Sequence, residues 1–249
     1  MIRVEQRDHV AIVTLEREVT NAINLELAER LDETLAVIRD DPGVRAVVLA
    51  SANDKFFSIG FSIPELYDLP QEAFSQFYHA VNRAFINLYT LLKPTVAALT
   101  GHAIAGGCIM ALCCDYRVIA AGRKLMGLNE IKLGVPVPYI ADCMLRDLVG
   151  TRYAREIMDF GAFYESDALL AMGMVDQVLP LEVVLDAAVD KARVLGAAPA
   201  EALALIKHNR VGPIEAGVLA HLEESSRSFV ERWYSEEARA RLREAMERF

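Results

Sequence analysis

Strand-length apolar runs and helix-length periodic runs take turns along this chain. Residues 2–7 alternate apolar with polar, and 10–15 are apolar throughout, so two strands are predicted around a turn at Arg7-Asp8. Leu27, Leu31, Leu35 and Ile38 recur at helical spacing and predict an amphipathic helix over 24–39, ended by Asp41-Pro42-Gly43. An apolar strand over 44–50, a long helix over 71–92 stopped before Pro94, and a buried strand over 96–99 follow. A helix over 106–113 and a strand over 116–121 complete the alternation, which predicts an α/β fold with a largely parallel sheet. From about 138 onward nearly everything reads as helix. Leu222, Ser225, Phe229 and Trp233 share one face there, as do Ala238, Leu242, Ala245 and Phe249, to be packed on the core or on a neighbouring subunit. No internal repeat, low-complexity tract or long linker interrupts the pattern.

Composition narrows the class. The chain has 249 residues, enough for one large domain with a full core, and 53% of them are hydrophobic. Its net charge of −9 argues against nucleic-acid binding, so phosphate contacts must come from a few placed cations or helix N-termini. Cys108, Cys113, Cys114 and Cys143 form no CxxC pair and read as reduced thiols in a cytoplasmic compartment. Residues 95–114 carry no charge over about the length of a membrane span. Gly101, Gly106 and Gly107 break that run into strand, turn and helix, so it reads as core. No targeting peptide is read at the start, and Glu247-Arg248-Phe249 is not a peroxisomal signal, so a cytoplasmic protein free of membranes is expected.

Candidate chemistry lies between 55 and 136. In Phe57-Ser58-Ile59-Gly60-Phe61-Ser62-Ile63-Pro64-Glu65, Ser62 and Glu65 have capping-box spacing, so a helix is predicted to start at Ser62 with the Phe61 N–H just before its positive end. Gly101-His102-Ala103-Ile104-Ala105-Gly106-Gly107-Cys108 leads small residues into an apolar helix whose first free N–H groups suit a developing oxyanion. His102, among apolar neighbours, reads as a core histidine. In Gly127-Leu128-Asn129-Glu130-Ile131-Lys132-Leu133, one carboxylate has mainly apolar neighbours, and burial would raise its pKa toward that of a general base. Each segment alone fits an ordinary structural joint as well.

Together and in this order they resemble the crotonase (enoyl-CoA hydratase/isomerase) family. FSIGFSIPEL resembles its first acyl-CoA motif and GHAIAGGCIMALCCDYRVIA its glycine-rich second motif. Asn21-Ala22 resembles its N-terminal block, and the segment Met172 to Val178 also fits. The resemblance implies a spiral of ββα units with a C-terminal helical trimerisation region. It implies an acyl-CoA-binding core over 1–195 and helices over 196–249 in a homotrimer or a dimer of trimers. Carried over by position, the N–H groups of Phe61 and Gly106 hold the thioester oxygen and Glu130 is the catalytic base. Ser58, Ile59, Gly60, Phe61, Ser62, Ile63, Gly106 and Asn129 contact substrate. Arg17 and Lys207 are candidates for the CoA phosphates. No metal and no separate cofactor are implied, coenzyme A being part of the substrate.

Family hydratases resemble one another in carrying two glutamates. Here Ile109 occupies the first position and Glu130 the second. Water addition is served by two carboxylates around one water, whereas a double-bond shift needs one base. The GLNE segment is similar to the single-glutamate Δ3,Δ2-enoyl-CoA isomerases, so an isomerase is expected. A hydratase and a non-catalytic acyl-CoA-binding member are the alternatives. Phe61 is bulkier than the residue usual at its place, so its ring is expected to narrow the acyl pocket or to favour an aromatic or short acyl group; a phenylalanine here also occurs in the related aroyl-CoA dehalogenases. Residues 132–142 offer no match to the nucleophilic aspartate and tryptophan of those enzymes.

Overall fold

The computed structural model describes residues 1–247. An antiparallel hairpin of β1 (Ile2–Arg7) and β2 (Val10–Leu15) opens the chain, with Arg7 paired to Val10 across the turn. Helix α1 (Leu25–Asp40) follows, its first turn closed by Asn24, whose Oδ1 accepts the Leu27 N–H at 3.0 Å. The chain then runs through β3 (Ala46–Ser51), β4 (Phe56–Ser58), the single turn α2 (Ile63–Leu66) and α3 (Gln71–Tyr89). Next come β5 (Thr95–Leu99), β6 (His102–Ile104) and α4 (Gly106–Leu112), then β7 (Tyr116–Ala120) and β8 (Met126–Gly127). Helix α5 (Tyr139–Phe160) is broken at Gly150, and α6 (Ser166–Met172) leads into β9 (Gln177–Leu179). Helices α7 (Val184–Gly196), α8 (Ala200–Trp233) and α9 (Glu236–Met246) end the described chain.

The main sheet has the order β1-β2-β3-β5-β7-β9, parallel everywhere except in the opening hairpin. A second, smaller parallel sheet has the order β4-β6-β8. Each unit therefore gives one strand to each sheet and then a helix: β3-β4 before α2 and α3, β5-β6 before α4, and β7-β8 before α5. This is the spiral of ββα units that the resemblance implies. The short strands β4, β6, β8 and β9 have too few residues to show a period and were not expected. The predicted helices and long strands stand within about three residues of their expected ends, as boundary fraying allows.

Side-chain alternation in the main sheet makes two cores. Val10, Ile12, Ala46, Val48, Val96, Ala98 and Val118 face α7, which meets them with Val184, Ala188, Val189 and Ala192. The residues between them, Ala11, Val13, Val47, Leu49, Ala97 and Leu99, face the larger core that holds α1, α3 and α4. The buried Leu27, Leu31, Leu35 and Ile38 stripe of α1 belongs to it, as do Phe229, Trp233, Ala238 and Leu242 of the C-terminal helices. Phe249, assigned to that last stripe, lies outside the described residues. Each fully buried Leu, Ile or Phe contributes roughly 1.5–3 kcal/mol. No described helix is long and apolar enough to cross a membrane, and residues 95–114 are core as expected.

Lys207 departs from its expected role. It is 3% exposed, and its ammonium donates to Asp115 Oδ2 at 2.7 Å and to the Lys93 carbonyl at 3.1 Å. A lysine held inside the fold this way has no route to a ligand phosphate, so the phosphate assignment is corrected to a structural one. Burial lowers its pKa while Asp115 opposes that shift. Asp115 also accepts the Thr95 N–H at 2.8 Å and pairs with Arg210, tying α8 to β5. Asp115→Ala strands a buried ammonium and is expected to cost about 3–5 kcal/mol, measured as a lower denaturation midpoint at unchanged m-value. A loss under 1 kcal/mol would show that the pair carries little of the α8 docking.

Candidate active site

The first and second sequence motifs meet back to back. A Cβ placed on Gly60 would stand 2.8 Å from the Gly106 nitrogen, and one on Gly107 would stand 2.2 Å from the Ser58 carbonyl oxygen. Only glycine permits either approach. Gly60 also sits at φ +87°, a region that other residues rarely adopt. Ala105 turns the chain into α4 at φ 48°, ψ −118°, so a non-glycine residue holds a strained conformation where the helix begins.

These bends leave two amides free. Gly60 O accepts the Ile23 N–H at 2.7 Å, and Ser62 N–H donates to Ile23 O at 2.9 Å. The Phe61 N–H between them has no acceptor among the described residues, and neither has the Gly106 N–H at the first position of α4. Both residues line a cavity of about 470 Å³, together with Ile59, Ser62, Ile63 and Asn129. Ser58 and Gly60 do not line it. Ser58 is fully buried with its hydroxyl turned back toward Asn21, so its expected substrate contact is corrected to a place behind the loop. The capping box also differs from expectation. The Ser62 hydroxyl donates to Glu65 Oε1 at 2.6 Å and caps no backbone amide.

Glu130 is brought to the same cavity by the third unit. A tight turn over Glu130–Leu133 follows β8 and is closed by Gly134 at φ +75°. Gly127 and Gly161 let the end of α5 press against this turn, since a Cβ on either would lie within 2.7 Å of Ala162 O or Ile131 Cγ2. Glu130 is 5% exposed, and its Oε2 has no hydrogen-bond partner. Burial pushes its pKa up to about 7, only weakly opposed by a backbone hydrogen bond. The Asn129 Oδ1 and Trp233 Nε1 atoms, from residues that also line the cavity, are likewise buried without partners. Ile109, at the position where the resemblance led a hydratase's other glutamate to be expected, lines the cavity and is 1% exposed.

Aromatic rings form one wall. The Phe61 ring packs edge-on against Phe77 with centroids 4.9 Å apart and reaches toward Phe229 and Trp233 on α8. Sequence reasoning placed Phe229 and Trp233 on one helix face without joining them to Phe61, because the contact spans more than 160 residues. His102 is corrected too. It is a half-buried wall residue of the cavity, and its Nδ1 accepts the Leu125 N–H at 2.9 Å. Burial lowers its pKa, and the neighbouring charges of Lys124, Arg123 and Lys55 lower it further. Those three cations were missed. Nearness to the motifs was their only mark: Lys55 stands two residues before the first and Arg123-Lys124 shortly before the third. Arg17 does line the cavity, but its guanidinium pairs with Glu65 and donates to the Ala22 carbonyl at 2.8 Å.

Comparison with known proteins identifies the family. Residues 5–249 match the family model for enoyl-CoA hydratase/isomerase, and the chain belongs to that family. It is 32% identical over 181 residues to the mouse protein "Enoyl-CoA delta isomerase 1, mitochondrial", a match covering 72% of this chain and 63% of the mouse protein. It is 35% identical over 184 residues to a putative enoyl-CoA hydratase of Thermus thermophilus, covering 72% and 71%. In three dimensions it superposes on the crystal structure of human mitochondrial Δ3-Δ2-enoyl-CoA isomerase with a TM-score of 0.96 at 28% identity, covering 99% of this chain and 97% of that one.

The Glu130 pKa makes stability depend on pH. A carboxyl with an ordinary value of 4.5 unfolded and about 7 folded is held more tightly as the acid by the native state. Native stability therefore falls as pH rises from 4.5 through 7, by about 3 kcal/mol for this group. Glu130→Gln is expected to remove that slope, so that the variant becomes the more stable protein above pH 7. Parallel wild-type and variant curves across pH 4–8 would show that the carboxyl ionises freely.

Proposed function

We propose that this chain is an acyl-CoA enzyme that shifts a double bond from C3 to C2 of an enoyl thioester, a Δ3,Δ2-enoyl-CoA isomerase. The observation that carries this reading is one buried carboxylate, Glu130, whose Oε2 has no hydrogen-bond partner, in a cavity where Ile109 stands in place of a hydratase's other carboxylate. Relatives at similar identity carry both isomerase and hydratase names, so overall likeness does not choose between the two. Ile109 supports the isomerase reading. A sec-butyl side chain neither holds a water nor relays a proton, while it excludes water from a reactive enolate.

The chemistry follows from charge movement. The Glu130 carboxylate takes a proton from C2 of the 3-enoyl thioester, and the electrons move onto the thioester oxygen. The Phe61 and Gly106 amides stabilise that oxygen as its charge grows, which favours the transition state over bound substrate. The resulting dienolate accepts the same proton at C4, leaving the double bond between C2 and C3. A pKa near 7 suits a group that must be base in the first step and acid in the second.

The remaining parts of the substrate are assigned by chemistry. Lys55, Arg123 and Lys124 are the cations we assign to the CoA phosphates, since Arg17 is already paired and Lys207 is buried. Assembly into trimers is part of the same proposal. It is supported by apolar residues left exposed beside the Glu130 turn, Ile131 at 51% and Phe160 at 64%.

The test uses 3-hexenoyl-CoA and crotonyl-CoA with products separated and identified by mass. Wild-type protein is expected to convert 3-hexenoyl-CoA to the 2-enoyl thioester, with kcat/KM rising about tenfold per pH unit below 7 and level above it. Glu130→Gln is expected to lower kcat by about 10³-fold or more with KM little changed. Turnover by that variant within a few-fold of wild type would end the assignment of Glu130. Hydration of crotonyl-CoA at rates matching isomerisation would replace the isomerase reading with the hydratase one.

A further inference from the structure

Asn21 and Ser58 do not line the cavity, yet they are joined by a continuous chain of hydrogen bonds that ends at the Gly60 amide. Asn21 is fully buried in the left-handed region at φ +46°. Its Oδ1 accepts the Arg17 N–H at 2.8 Å, and its Nδ2 donates to Phe57 O and to Ser51 Oγ, each at 3.0 Å. Asparagine is suited to that conformation, because its side chain can bond to nearby backbone. The Asn21 carbonyl accepts the Ser58 hydroxyl at 2.8 Å, and Ser58 Oγ in turn accepts the Gly60 N–H at 3.2 Å.

The consequence for the next peptide is geometric. Ser58 fixes the nitrogen side of Gly60, and Ile23 fixes its carbonyl oxygen at 2.7 Å. A trans peptide is planar, with its N–H opposite its C=O. Holding the Gly60 carbonyl toward Ile23 therefore aims the Phe61 N–H the other way. Glycine at φ +87° has no side chain to resist other settings of this bend, so the bonds on either side must choose the setting. Thr20 O accepts the Ile59 N–H at 3.1 Å, which holds the intervening residue against the same segment.

We infer that Ser58 and Asn21 are positioning residues for the oxyanion site: they set the plane of the Gly60–Phe61 peptide and so the direction of its free N–H. The inference rests on the reading of Phe61 as a thioester-oxygen donor. A pre-set donor is worth more than a mobile one, because no reorganisation is needed as charge develops. Loss of Ser58 Oγ would leave the Phe61 N–H present but less well aimed. Ground-state binding, spread over the whole CoA ester, would hardly notice.

The experiment reads the carbonyl itself. Hexanoyl-CoA carrying carbon-13 at the thioester carbonyl is bound to wild type, Ser58→Ala, Ser58→Cys and Asn21→Gly, and the isotope-edited infrared stretch is recorded with Kd and Tm. Wild type is expected to lower the stretch relative to free thioester. Ser58→Ala is expected to lose about half or more of that shift and about tenfold in kcat with 3-hexenoyl-CoA, with Kd within about threefold of wild type. Ser58→Cys, a weaker acceptor of the same shape, is expected to fall between. Asn21→Gly, which keeps the backbone conformation, is expected to follow Ser58→Ala. A purely structural role would lower Tm while leaving the bound stretch at its wild-type value, and that result overturns the inference. Should Ser58→Ala not fold, the Cys and Gly variants are judged by the same criterion. An unshifted stretch in wild type overturns the Phe61 reading and this inference with it, whereas a shifted wild type with unshifted differences overturns this inference alone.

Discussion

Two backbone segments from successive ββα units must touch for this cavity to exist. Gly60 after β4 and Gly106 at the head of α4 approach until a single methyl group on the former would collide with the nitrogen of the latter. Gly107 repeats the demand one residue on, against the Ser58 carbonyl. The β4-β6-β8 sheet serves this contact, because parallel pairing of β4 with β6 fixes the two segments side by side. Pairing of β6 with β8 then places the third segment, bearing Glu130, in the same row. The site is thus a property of register in a three-stranded sheet, and the larger sheet supplies the stiffness behind it.

Several costs are concentrated here. Ala105 and Asn21 hold positive φ, each costing of the order of 1–3 kcal/mol, and Glu130 is buried without a partner. Such a cluster persists only where the surroundings over-determine it. They do. Asn21 makes bonds through every side-chain and carbonyl atom it has, Ala105 N–H donates to Gly127 O at 2.9 Å, and the turn under Glu130 is clamped by α5 and α9.

Legibility in the sequence followed the length of the signal. Helices such as α1, with four apolar residues at helical spacing, and strands such as β2, apolar at all six positions, could be read with near-final ends. The strands that make the site could not, because β4, β6 and β9 have three residues each and β8 has two. Glu130, Phe61 and Gly106 were legible through the motifs that surround them, and the structure does bring all three to one cavity. Ser58 and Lys207 were misplaced for one shared reason. A polar side chain in a promising segment says nothing about which way it faces, and both face inward to bonds made with residues 37 and 92 positions away. Lys55, Arg123 and Lys124 were missed because single cations on loops carry no pattern until folding gathers them around His102.

The proposed preference for isomerisation over hydration rests on what one position does to water. With a second carboxylate at position 109, the cavity would hold a water between two acceptors and lower the barrier to adding it across the double bond. With Ile109 fully buried against the cavity, the carboxylate of Glu130 has lost its solvation without gaining a partner, which is the origin of its raised pKa. The same loss does two things at once. It makes Glu130 a stronger base than a solvated glutamate, and it removes the nucleophile that would turn a proton shuttle into a hydratase. In the proposed reaction, a dienolate formed beside Ile109 finds one proton within reach, the one that Glu130 has just taken, and returning it to C4 is the course left open.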